Sequence, residues 1–195
     1  MKKSMIILTP LVIIIMAVLI RLFPHAPNFT PIGAMALFGG VYLQKKYSIG
    51  IVVLALIISD YLLLYINPFS PTPLNFSQFY WPTAFIHSTT VFVYGGILLN
   101  SLVGIVLRNR KSAANVIFAS LFGSIAFFLI TNFGAWFMGA YGRDISGLWQ
   151  SYVMGLPFFR NTLMGDMFYT TVFFGGFELV RNFLLRQKVV TGKSQ

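Results

Sequence analysis

The sequence predicts an all-α integral membrane protein: one domain over residues 1–195, folded as a six-transmembrane-helix bundle with both termini cytoplasmic. Three observations carry this reading. Of the 195 residues, 57% are hydrophobic and only 9% charged, whereas a soluble domain carries roughly a quarter charged residues. Apolar runs near membrane-spanning length alternate with turn-rich segments. The basic residues fall in blocks between alternate runs. Composition also excludes several functions. No polar face exists on which the net charge of +10 could form a basic patch, so no nucleic-acid partner is expected. The absence of cysteine removes disulfides, thiolate metal sites and cysteine nucleophiles. Four carboxylates and two histidines leave little material for metal or acid–base chemistry.

The first span is expected at 5–22. Its apolar stretch is longer than the ~7–15 residues of a signal-peptide core, and no A-x-A-like cleavage site follows. Three prolines in Phe23-Pro24-His25-Ala26-Pro27-Asn28-Phe29-Thr30-Pro31 then forbid a continuous helix. The second span, 32–43, would rise only ~18 Å against a hydrocarbon core of ~30 Å. It crosses fully only if the proline loop dips into the membrane, which is tolerated where backbone is buried in protein or lines a cavity. The third span is expected at 48–66. A connection to Thr83 follows, rich in proline and in Phe69, Phe76, Phe79, Tyr80 and Trp81. The fourth and fifth spans are expected at 84–107 and 114–137. A third connection, 138–157, precedes the sixth span at 158–185.

Six spans place both termini on one side, and the basic residues choose the side. Lys2, Lys3, Lys45, Lys46, Arg108, Arg110, Lys111, Arg181, Arg186, Lys188 and Lys193 fall on the terminal side; only Arg21, Arg143 and Arg160 fall opposite. The termini are therefore expected in the cytoplasm, with the basic end against anionic lipid head groups. The expected location is a bacterial inner membrane, crossed several times. Both cytoplasmic turns are short, whereas all three external connections are long. Long structured loops are usually functional, so a binding site open to the outside is expected.

Candidate site residues follow from depth and chemistry. Asp60 and Asp166 sit within apolar runs, where an ionisable group is functional by default unless paired. They are expected to pair with Arg21 or Arg160, to contact substrate, or to couple protons. Glu178 is expected to pair with Arg181 on the surface at i+3. His25 and His87 lie near the external boundary without a neighbouring carboxylate, which makes a poor zinc site. Tyr80, Trp81, Trp136, Tyr141, Trp149 and Tyr152 crowd the same boundary. An interfacial belt explains some of them; an aromatic-walled pocket for a flat heterocycle explains the one-sidedness. Asn28, Phe29, Asn132, Arg143 and Asn161 join them at that side. Asn28, fixed between Pro27 and Pro31, is the foremost candidate because its amide both donates and accepts. Small-residue pairs at Ala36/Gly40, Ala119/Gly123, Ser120/Ser124 and Ala135/Gly139 predict close helix packing or docking of a second membrane protein.

Other chemistries fail on pattern. Gly192-Lys193-Ser194 imitates the end of a phosphate-binding loop, but that motif needs glycine where Gln187 stands. No H-E-x-x-H or G-x-S-x-G occurs. His87 and Ser88 are adjacent on one expected helix and so point about 100° apart.

The length, six spans, short second helix and elaborated external loops resemble the substrate-binding S components of energy-coupling-factor (ECF) vitamin transporters. Arg21 to Ala34, with Ile58-Ser59-Asp60, Thr131-Asn132-Phe133-Gly134 and Leu156-Pro157-Phe158-Phe159, look like an uncharacterised bacterial family of S-component-like transport proteins. The resemblance implies capture of a vitamin-like molecule from outside and delivery through an energising module, a T component with two ATPases. Cobalamin or a related corrinoid is the leading substrate, with no other cofactor. Solitary cobalamin S components are the nearest functional analogue, but they hold cobalt with a cysteine that this chain lacks; His25, His87 or nothing replaces that contact. Many S components also dock through an A-x-x-x-A patch on helix 1, where this chain has only Ala17, so either Ala36/Gly40 on helix 2 substitutes or the protein works alone. An intramembrane enzyme, or a structural or assembly protein, is the alternative.

Overall fold

The computed structural model describes residues 2–70 and 74–191, with side chains over 8–70 and 74–186. Gly192-Lys193-Ser194 lies outside the described residues, as do the side chains of Lys2, Lys3 and Lys188. Among the described residues the chain is all-helical: α1 (Lys2–Arg21), α2 (Ile32–Tyr42), α3 (Lys45–Leu63), α4 (Thr90–Leu107), α5 (Ala113–Phe137) and α6 (Ile145–Thr191). Of these, α3, α4 and α5 are long and apolar enough to cross a membrane, while Leu8–Arg21 and α2 are shorter apolar helices.

The short second helix is the hub. A helix apolar on all sides is stable only when every side is covered, and α2 meets that condition. Nine of its residues, from Ile32 to Val41, are buried, and it packs against all five other helices, most extensively against α4. Glycine sets the closeness of that crossing. A Cβ on Gly40 would lie 2.2 Å from the Ser101 carbonyl oxygen, and one on Gly104 would lie 2.3 Å from that of Leu37. Small residues of this kind let helix backbones approach in a membrane, where packing replaces the hydrophobic drive. On the opposite side Phe38 is fully buried among Phe173, Phe174 and Phe177 of α6, with centroids 5.3–6.2 Å away.

Polar contacts sort the connections into two ends. At one end lie Arg21, Asp60 and Tyr94, from α1, α3 and α4, and the Asn161 amide donating to the Pro27 carbonyl. At the other, Tyr42 donates to Glu178 at 2.7 Å, and Glu178 pairs with Arg181 at 3.0 Å as its i+3 spacing predicts. Arg108 donates to the carbonyls of Gly40 and Leu43 at 2.6 and 2.7 Å, satisfying acceptors that the end of α2 leaves free. Lys111 sits over the Tyr42 ring at 4.6 Å. Burial lowers its pKa, against the attraction of Glu178 and with the repulsion of Arg181 and Arg108.

Several boundaries differ from those expected. Helix 4 starts at Thr90 rather than at position 84 because residues 81–90 close short turns instead: Ala84 and Ile86 donate to Trp81 and Thr83, and the His87 amide bonds the Thr90 hydroxyl at 2.8 Å. Helix 3 starts earlier, at Lys45. The largest difference is at helix 6. The Asp144 carboxylate accepts from the Gly147 amide at 2.7 Å, which starts the helix at Ile145, and it runs through Pro157. The third connection is thus 138–144, not 138–157. A proline inside such a helix is tolerated where neighbouring elements cover the disturbed turn. Here Tyr152 and Ser151 bind carbonyls of α5, and Phe159 packs on Phe128 at 4.7 Å.

Two small-residue pairs also behave differently. Gly139 has φ +86 and ends α5, its amide donating to Trp136 at 2.8 Å, so Ala135/Gly139 closes a helix instead of packing one. Ala36 and Gly40 are buried in the α2–α4 crossing and offer no surface to a second membrane protein.

Candidate functional site

A cavity of about 250 Å³ lies beneath the proline loop, where α1, α2, α4, α5 and α6 converge. Asn28 and Thr30 border it from the loop, Asn100 from α4, Thr131 from α5, and Thr162 and Asp166 from α6. A smaller cavity of about 140 Å³ adjoins it between α5 and α6, and Asn28, Phe127, Thr131 and Thr162 border both. Larger hollows occur elsewhere. One of about 540 Å³ lies between α4 and α5, bordered by exposed Leu102, Val106, Phe118 and Phe122. Those side chains suit lipid tails, whereas the proline-loop cavity gathers polar groups, of which Asn100 and Asp166 are buried.

The loop is held for this purpose by local chemistry. Asn28 has φ 62, the left-handed region that asparagine tolerates better than other side chains with a Cβ. That turn lets the Phe29 amide donate to the Ala26 carbonyl at 2.9 Å. Asn161 clamps the loop to α6 through Pro27 at 2.9 Å. Phe29 packs on Phe168 and Tyr169, with centroids 5.9 and 5.7 Å away. Gly165 lets the loop approach α6: a Cβ there would lie 3.1–3.3 Å from Phe29 and Thr30 backbone atoms.

The two acids set within apolar runs have different surroundings. Asp60 forms an ion pair with Arg21, and Arg21 also donates to Ser59 at 2.5 Å. Tyr94 donates to the other Asp60 oxygen at 2.6 Å. Asp60 is thereby saturated, as the pairing expectation required, although Arg21 itself borders the cavity. Asp166 is only 5% exposed and has no ion-pair partner among the described residues. Ser124 donates to it at 2.7 Å and the Ala34 amide also binds it. A Cβ on Gly33 would lie 2.2 Å from its Oδ1, so only glycine there leaves room for the carboxyl. Arg160, its other expected partner, forms no ion pair with it.

The remaining candidates scatter. Asn132 borders the smaller cavity, anchored by donation to the Phe128 carbonyl at 2.8 Å. His25 is engaged with the Phe23 carbonyl at 2.6 Å and lies against Phe69. His87 contacts the Thr89 hydroxyl within its own turn. Tyr80 joins the second connection to α3 through Tyr61 and Tyr65. Trp136 donates to the Asp144 carbonyl at 2.8 Å. Arg143, Trp81 and Trp149 are exposed, the tryptophans by 75% and 73%. None of these seven borders either cavity; the aromatic residues that do are phenylalanines, Phe127 on both and Phe128, Phe158 and Phe159 on the smaller. Sequence reasoning passed over Thr30, Asn100, Thr131 and Thr162, single polar residues in apolar runs whose signal is shared with every back-bonded threonine. Among the described residues no group of acids and histidines could hold a metal ion.

A protein-family model, described as a family of unknown function, matches residues 1–189. No curated protein and no solved structure matches the chain.

Proposed function

The chain belongs to the family of unknown function DUF6580, and from the proline-loop cavity we propose that it is a membrane-embedded binding component of a small-molecule importer. In this reading the six helices each cross a bacterial inner membrane, both termini are cytoplasmic, and the cavity opens outward. Concentration of Lys45, Lys46, Arg108, Arg110 and Lys111 at the opposite end supports that orientation. The resemblance to ECF S components supports vitamin capture. The observation that carries the proposal is the cavity itself: polar groups from four helices, with Asn100 and Asp166 buried, converge under a loop held by specific contacts. Apolar surroundings with a few convergent polar groups are how a small ligand is held.

Size bears on the ligand. The two adjoining cavities measure about 250 and 140 Å³, near the lower limit of ~300 Å³ for small-molecule sites. A one- or two-ring molecule fits that space better than a corrinoid, which is several times larger. Docking on an ATPase module cannot use the buried Ala36/Gly40 pair; the exposed apolar face of α1, with Val12, Ile15 and Leu19, is one surface open to a partner or to lipid. Thermal unfolding of the purified full chain across a vitamin panel tests the proposal. At least one compound should stabilise the wild type and not Thr131→Trp, which fills the cavity. Turnover of a compound without transport would instead favour an intramembrane enzyme.

A further inference from the structure

We propose that the ligand of the proline-loop cavity is an organic cation, a protonated amine or a cationic heterocycle, whose charge pairs with Asp166. The inference rests on the cavity being a ligand site, and adds the charge of what enters it. Asp166 borders the cavity, is 5% exposed, and has two hydrogen-bond donors but no cation among the described residues. A buried carboxylate is costly until a counter-charge arrives. No described residue supplies one. Arg21, the cation on the same cavity, is bound to Asp60 and Ser59, so the charges of Arg21 and Asp60 offset each other. The carboxyl that remains sets the sign of the site. Its surroundings fit that use: Thr30, Thr131 and Thr162 bring hydroxyl groups to its border, and Phe127 offers an aromatic ring to which a cation is attracted. At about 250 Å³ the space exceeds that of a bare metal ion.

Three probes of one shape and different charge separate the possibilities: benzylammonium, benzyl alcohol and benzoate, each titrated against the full chain in lipid nanodiscs and read by thermal stabilisation. Benzylammonium is expected to bind roughly ten-fold or more tighter than the other two. Asp166→Asn should erase the preference and Asp166→Glu should keep it. If Asp166→Asn does not fold, the ranking in the wild type decides alone. Binding indifferent to charge, or favouring benzoate, overturns the inference while leaving a ligand site in place. Stabilisation by sodium over potassium, lost in Asp166→Asn and without any ranking of the organic probes, also overturns it, since the counter-charge is then inorganic. Stabilisation by a neutral member of the vitamin panel, with no probe bound, overturns the inference and keeps the importer reading. No response to probes or panel overturns both.

Discussion

Asp60 and Asp166 look alike in the sequence, each a lone acid in an apolar run, and the fold gives them opposite tasks. Asp60 holds α1, α3 and α4 together through Arg21 and Tyr94. Each partner of the ion pair keeps about one-fifth of its side chain exposed, so stranding one charge should cost roughly 2–3 kcal/mol, less than for a fully buried pair. Unfolding measurements on Asp60→Asn and Arg21→Gln should show that loss, and the swap Arg21→Asp with Asp60→Arg should recover part of it. Unchanged stability in both single variants would remove the pair from the structural account. Asn28 needs a different substitution. Its φ of 62 means that alanine adds backbone strain of ~1–2 kcal/mol, which would be mistaken for a binding effect. Glycine removes the amide without that strain. Asn28→Gly should therefore fold like the wild type and bind ligand about 1–3 kcal/mol more weakly; unchanged affinity would place the amide outside the site.

At the scale of elements, α2 was the most legible part of the chain. Its length, its uniform apolarity and its proline-bounded start all pointed to a short helix that cannot face water, and it is the buried hub. Pro157 was the least legible. Proline usually marks a helix end, but the Asp144 cap and the packing against α5 override it, and a cap three residues before Gly147 is a weak signal beside a proline. Helix 4 failed for the converse reason: Ala84-Phe85-Ile86 is apolar enough for a helix, yet its backbone closes turns in the second connection. The glycines give a test of the hub. Gly40→Ala should cost about 1–3 kcal/mol or more, because its Cβ meets the α4 backbone. Gly175→Ala, with nothing within 4 Å, should stabilise α6 by about 0.5–1 kcal/mol. Equal effects in thermal unfolding would mean that the α2–α4 approach is not tight.

For the whole molecule, the number and order of the helices were readable from the sequence, while the extents of the second and third connections were not and the site was readable only in part. The proline loop, Asn28 and Asn132 border the cavities, because backbone constraint and isolated polarity leave marks in a sequence. The crowd of tyrosines and tryptophans does not border them, because an aromatic residue near a membrane boundary reads the same whether it braces a loop, meets lipid or faces a ligand. Orientation is directly testable, since single cysteines can be added to a chain that has none. In intact cells Ser146→Cys should react with an impermeant maleimide and Arg110→Cys should not; the reverse pattern would invert the protein and place the cavity on the cytoplasmic side. The central claim, that the cavity captures a small molecule, is met most directly by native mass spectrometry of the full chain released from gently purified material. The wild type should carry a co-purified molecule of one- or two-ring size that Thr131→Trp lacks. A ligand-free wild type that also shows no thermal shift across the vitamin panel would contradict it.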